Sequence, residues 1–127
     1  MKNKTASEIG SLGEEYAEKH LVKHKYRIIA RNFRCKFGEI DIIAQNKEYI
    51  VFVEVKTRGN NAIAPPAAFV TKSKQGKILK TASFFLANNP SDLQPRFDIA
   101  EVTYSDKQAT VNYIENAFIQ EGDYAPF

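Results

Sequence analysis

An α/β fold, with helices packed on a single sheet, is what the order of patterned segments predicts. Apolar residues recur at helical spacing in two stretches, Ser7 to about Lys23 and Thr71 to Leu86. Three short strand-like runs follow the first stretch and two follow the second. At 127 residues one domain, 1–127, is the expectation.

The first helix opens at Ser7, a capping residue, and carries Ile9, Leu12, Tyr16, Ala17 and Leu21 on one stripe. Gly10 and Gly13 each lower its helical propensity by about 1 kcal/mol, which suggests close approach to another element or a ligand. Tyr26 to Asn32 is the first strand. Gly38 to Gln45 and Tyr49 to Lys56 form a hairpin around an Asn46-Lys47 turn. Gly59 to Ala68 has no sustained period and reads as a loop. In the second helix Ile78, Leu79, Ala82, Phe85 and Leu86 make the apolar stripe, and Asn88-Asn89-Pro90 stops it. Arg96 to Tyr104 and Ala109 to Ile114 are two further strands around a turn at Asp106, and the tail from about residue 120 is expected to be loosely held.

Composition excludes several classes. The longest uncharged run is the 13 residues Gly59 to Thr71, with two prolines, too short for a membrane span. No apolar segment follows the basic Met1-Lys2-Asn3-Lys4, so no secretory signal is read. One cysteine, Cys35, excludes a disulfide framework within the chain. A soluble, cytoplasmic protein is expected. The net charge of +3 is unevenly spread. Residues 1–36 hold nine Lys/Arg against four Asp/Glu, residues 70–80 four lysines and no acid, and residues 81–127 two against seven. Basic segments of this kind can meet a polyanion, or can be solvated helix faces.

The strand Val51-Phe52-Val53-Glu54-Val55-Lys56 carries the chemistry. Alternation puts Glu54 and Lys56 with Phe52 on one face of an otherwise apolar strand. Charges in such a setting must be paired or must meet a ligand. Glu39 and Asp41 repeat the pattern one strand earlier, and hairpin pairing brings Asp41 near Glu54 and Lys56. Two carboxylates about 4 Å apart repel by about 4 kcal/mol at an effective dielectric near 20. Lys56 alone does not neutralise Asp41, Glu54 and either Glu14 or Glu39, whereas a divalent cation does. Oxygen ligands suit Mg²⁺ or Mn²⁺. The competing reading is a buried ion pair without function. The Asp/Glu-x-Lys tripeptide alone is uninformative, since about 1.5 arise by chance in this composition.

The Asp41…Glu54-Val55-Lys56 pattern resembles the active site of the PD-(D/E)xK nuclease superfamily. The wider set is similar to the bacterial YraN family, classed with endonucleases related to Holliday junction resolvases. Its segments are Gly10-Ser11-Leu12-Gly13-Glu14, Arg31-Asn32-Phe33-Arg34, Gly38-Glu39-Ile40-Asp41-Ile42-Ile43, Val51 to Arg58, and Arg96-Phe97-Asp98-Ile99. Ile40 stands where the superfamily motif has proline.

The resemblance implies a restriction-endonuclease-like core, a mixed sheet flanked by helices. It implies that Asp41, Glu54 and the Val55 backbone carbonyl ligate a metal, with Glu14 completing the acidic cluster. Lys56 would position the attacking water and stabilise charge on the phosphate. The reaction would be metal-assisted hydrolysis of DNA phosphodiesters, in branched or otherwise structured DNA. Junction-cutting relatives imply a homodimer.

Other residues carry weaker expectations. Lys72, Lys74, Gln75 and Lys77 open the second helix and are candidate phosphate contacts, as are Arg34 and Arg58. His20 and His24 are four apart but lack a third ligand, and so read as surface histidines. Asp98, beside Arg96, reads as a structural ion-paired acid. A nucleic-acid-binding module without catalysis and a protein-interaction scaffold are the alternative functions. The acidic last third is a candidate protein-docking segment.

Overall fold

The computed structural model describes residues 6–59, 70–105 and 108–118. The elements run α1 (Ala6–Lys23), β1 (Arg27–Cys35), β2 (Gly38–Gln45), β3 (Tyr49–Gly59), α2 (Lys72–Asn88), β4 (Gln94–Ser105) and β5 (Gln108–Ile114). The strands form one sheet in chain order. Neighbours are antiparallel except β3 and β4, which are parallel and joined through α2. This is a mixed sheet flanked by helices, the α/β arrangement expected and consistent with a restriction-endonuclease-like core. Among the described residues no helix is long and apolar enough to cross a membrane.

Each face of the sheet has its own core. Ala17 and Leu21 of α1 pack with Ile42, Ala44, Val51, Val53, Ala100 and Val102. Ile78, Leu79, Ala82 and Phe85 of α2 pack on the other face with Ile40, Ile43, Phe52, Phe97 and Ile99. Burying each Val, Leu, Ile or Phe among them contributes about 1.5–3 kcal/mol, so the sheet is held between two apolar layers. Gly13 lets α1 lie close: a Cβ there would sit 1.8 Å from Thr57 Oγ1. The close approach expected of the two glycines is therefore real at Gly13, while Gly10 has nothing within 4 Å.

Two strands run three residues further at their C-terminal ends than the sequence predicts, and β4 (Gln94–Ser105) overruns Arg96 to Tyr104 by two residues at its start and one at its end. β1 continues through Phe33, Arg34 and Cys35, because the hairpin to β2 closes only at Cys35↔Gly38. β3 continues through Thr57, Arg58 and Gly59, held by the parallel ladder as far as Gly59↔Tyr104. In both cases pairing across the sheet outweighs the polar local sequence. The hairpin turn is as expected: Asn46 Oδ1 accepts from the amides of Glu48 and Tyr49. So is the entry to α2, where Thr71 caps the helix by accepting from the Lys74 amide at 3.1 Å. The loop expected at Gly59 to Ala68, past Gly59 itself, the turn at Asp106 and the tail from residue 120 lie outside the described residues.

Candidate active site

The site begins where two strands part. The β2–β3 ladder runs from Gln45↔Ile50 to Ile42↔Val53 and stops. One step further the register would set Asp41 opposite Glu54. Instead Asp41 Oδ2 accepts the amide hydrogen of Val55 at 2.8 Å. A strand residue's N–H and C=O leave on the same edge, so the Val55 carbonyl is also directed into the fork. The side-chain alternation slips at this point. Ile40 and Ile43 join the α2-side core, whereas Ile42 joins the α1-side core. The slip is matched on β1 by Asn32, which takes φ +49° between Arg31↔Ile42 and Phe33↔Ile40. Asparagine tolerates this left-handed conformation better than most residues.

Asp41 and Glu54 line one pocket of about 390 Å³ between the sheet and the start of α2, with Gly38, Glu39, Lys74 and Lys77 around it. Glu54 is only 8% exposed. Lys74 Nζ meets Glu54 Oε2 at 2.5 Å. Burial works against the Lys74 charge, but Glu54, then Asp41 and Glu39, hold its ammonium above the usual lysine value. The Asp41 carboxyl is pushed up to about 7, first by burial and then by the charge of Glu54, against the Val55 hydrogen bond; Glu14 and Glu39 add to the rise. The acidic residues singled out in the sequence therefore converge electrostatically on Asp41. Glu14 itself lies on α1 and accepts from Asn32 Nδ2 at 3.2 Å.

Among the described residues, no three His, Cys, Asp or Glu side chains are grouped so as to hold a metal by themselves. Mg²⁺ needs fewer, since it is usually bound through one or two carboxylates and keeps several waters. Asp41, Glu54 and the Val55 carbonyl fit that requirement. Burial and the neighbouring carboxylates disfavour the charged form of Asp41, a cost that a proton or a cation at the carboxyl would relieve.

Lys56 and Arg58 follow Glu54 at two-residue steps and so share its face of β3. Lys56 lies opposite Glu101 in register, and Arg58 forms an ion pair with Glu101. Neither lines the pocket. Glu101 is a buried acid on that face that the sequence reading passed over. Its signal was the one that exposed Glu54, a carboxylate among Ile99, Ala100 and Val102 in an apolar strand.

The candidate phosphate contacts separate into two groups. Gln75 Nε2 donates to the Val70 carbonyl at 2.8 Å, a bond that steadies the helix entry. Lys74 turns into the pocket, Arg58 onto Glu101, and Arg34 pairs with Glu39. Lys72 and Lys77 are exposed on α2. His20 stacks between His24 and Tyr113, with ring centroids at 4.1 and 5.0 Å. Asp98 is structural as expected: it takes Arg96 Nε at 2.9 Å and Nη2 at 2.8 Å, the Tyr113 hydroxyl at 2.5 Å and the Asn116 amide at 2.9 Å.

The fold and the fork define an α/β protein with an acidic cleft between strand ends and a basic helix. The chain belongs to the uncharacterised protein family UPF0102, whose model matches residues 13–102. That range holds the fork, the pocket and both ion pairs beside it. A UPF0102 protein of Geobacter metallireducens is 45% identical over 111 residues, 87% of this chain and 91% of its own length. One from Caldanaerobacter subterraneus subsp. tengcongensis is 46% identical over 122 residues, 93% of this chain and 100% of its own. These names state no activity.

Proposed function

We propose that this chain is a divalent-metal-dependent endonuclease acting in the cytoplasm on DNA, branched or otherwise structured. The observation that carries the reading is the fork, which leaves Asp41 and Glu54 facing one pocket with lysines on its rim. Asp41, Glu54 and the Val55 carbonyl would hold Mg²⁺ or Mn²⁺, with Glu14 adding negative charge behind Asp41. Such a cation supplies Lewis acidity at the scissile phosphate.

The chain's own residues do the remaining work. Lys56, on the Glu54 face of β3 and beside the pocket rather than in its lining, would reach the phosphate from the edge of the site, orient the attacking water and meet the charge that builds there. Lys74 balances Glu54 in the resting site. Lys77 on the pocket rim, with Lys72 and Arg34 outside it, holds the DNA backbone. Cutting both strands of a branch requires two such sites, so a homodimer belongs to the proposal.

The test is cleavage of branched, flapped and single-stranded DNA with Mg²⁺ or Mn²⁺. Asp41→Ala and Lys56→Ala are expected to abolish cleavage, and equal activity in all three proteins refutes the site. One observation favours a second reading, a DNA-binding module without turnover: Lys74 already fills the place of a cation at Glu54. That module would bind DNA in a salt-sensitive way, unaltered by Asp41→Ala, and cut nothing with any divalent ion.

A further inference from the structure

We propose that Phe37 and Phe84 form a stacking platform for unpaired bases, so that the strand led into the acidic pocket is single-stranded or frayed nucleic acid. The inference deepens the nuclease reading and rests on it only for what happens after binding.

Two large rings stand at the surface here. Phe37, in the β1–β2 turn, is 37% exposed and Phe84, on α2, is 38% exposed. Their centroids are 6.2 Å apart at an interplanar angle of 63°. They are the outer end of a file of phenylalanines that crosses the α2-side core. Phe118 stacks on Phe97 (5.4 Å) and Phe97 on Phe52 (5.5 Å). Phe52 meets Phe85 (6.3 Å), Phe85 meets Phe33 (5.1 Å), and Phe33 meets Phe84 (6.4 Å). Five contacts in series hold the outer rings from behind. A rigid ring loses little conformational freedom when a flat ligand stacks on it.

The surroundings suit a polyanion. Lys36 Nζ lies 5.2 Å from the Phe37 centroid. Lys80 precedes Phe84 by one helical turn and Lys77 by two, so both share its side of α2. Both lysines are exposed. The acid nearest in sequence to Phe37, Glu39, is paired with Arg34. The platform also adjoins the pocket. Phe37 is followed by Gly38, where a Cβ would lie 3.6 Å from Lys77 Cβ, and Gly38 and Lys77 both line the pocket. From Lys74 to Phe84 along α2 is ~15 Å at helical rise, room for a short run of nucleotides with phosphates on lysines and bases on rings. Every base has a π face, so such a platform is sequence-tolerant. A duplex hides those faces, which is why the chemistry selects unpaired bases.

The test uses the full chain with chelator, so that binding is read without cleavage. Fluorescence anisotropy compares a labelled oligo-dT, an abasic oligonucleotide of equal length, an oligo-rU and a duplex. Oligo-dT is expected to bind about tenfold more tightly than the abasic strand. Phe37→Leu and Phe84→Leu keep apolar volume but remove the ring. Each is expected to lose about tenfold on oligo-dT and nothing on the abasic strand, while Phe37→Tyr and Phe84→Tyr bind as the parent. Equal losses on oligo-rU mean a platform for either sugar; a loss on one polymer alone identifies it. Quenching of 2-aminopurine within an oligonucleotide on binding the unsubstituted chain is expected, and reads stacking with no substitution at all.

Equal affinity for oligo-dT and the abasic strand, unquenched 2-aminopurine, or Leu variants that bind as the parent overturn the platform. So does loss of a homodimer in the Leu variants with oligo-dT binding unchanged, which makes the rings an interface between copies. If the platform fails while Asp41→Ala still abolishes cleavage, the nuclease stands without this preference. If stacking is found but no divalent ion gives cleavage, the platform stands and the nuclease reading fails.

Discussion

Asp41 Oδ2 takes the Val55 amide hydrogen at 2.8 Å, where a continued ladder would offer a backbone carbonyl. One side chain thus ends the pairing of β2 with β3 and spans the gap that results. The acid that lines the pocket is also the strut that sets the width of the fork.

Stability should depend on pH through Asp41. An aspartate titrates near 3.8 ordinarily, and in the folded protein this one is pushed up to about 7. The native state therefore keeps a proton that the unfolded chain has released between those limits. Stability is undiminished by Asp41 below about pH 3.8, falls as pH rises to about 7, and is lowest above that. The full change is on the order of 4 kcal/mol. Asp41→Asn should flatten this window and be more stable than the parent at pH 8. Urea unfolding at pH 5 and pH 8 with chelator measures it, and an unaltered pH profile refutes the assignment.

Lys74→Met should separate the two roles of that lysine. It leaves the Glu54 carboxylate buried without its cation and should cost about 1–2 kcal/mol, discounted because Lys74 is half-exposed. The same change removes a competitor for the site, so calorimetry should show tighter Mn²⁺ binding than in the parent. Weaker Mn²⁺ binding would mean that Lys74 helps to build the site.

Most of the fold was legible in the sequence because each element carries its own local code. Asn46 makes its turn, Thr71 caps its helix, and the apolar spacing in α1 and α2 matches the buried faces. The Glu54 anomaly also showed itself, since alternation alone isolates it. What stayed hidden depends on contacts between distant elements. Lys74 looks like any lysine on a basic helix until α2 is laid over β3. The slip at Asn32 and Asp41 has no local signature beyond an asparagine. Glu101 was obscured by its neighbour Asp98, which faces the other side of the sheet.

Gly13→Ala should destabilise through contact with Thr57. A Cβ placed 1.8 Å from Thr57 Oγ1 forces α1 away from the sheet, at a cost of about 1–3 kcal/mol. Thr57→Ala should relieve part of this, so the double variant should be less destabilised than the sum of the singles. Strict additivity in denaturant unfolding would refute the contact.

Asp98→Ala should be more damaging than Tyr113→Phe. Burial opposes the Arg96 charge, yet hydrogen bonds to Asp98 and Tyr26 outweigh it and raise the guanidinium. Removing the carboxylate leaves that cation buried, a loss of about 3–5 kcal/mol. Removing the Tyr113 hydroxyl, one of several donors to the carboxylate, should cost about 1.5–3 kcal/mol. Thermal unfolding of the two variants ranks them.

The parallel pairing of β3 with β4 also orders events in time. A hairpin over Asn46–Glu48 is local and closes in about 1–10 μs, whereas β4 reaches its place only after the whole α2 crossover. The hairpin that pairs the strands of Asp41 and Glu54 needs no part of α2, whereas the Lys74 contact to Glu54 forms only with the crossover. Burial, the first cause of the raised Asp41 value, is complete only when α2 covers the fork, so unfolding should be faster at pH 8 than at pH 5 while refolding changes little, a difference that Asp41→Asn should erase in stopped-flow traces.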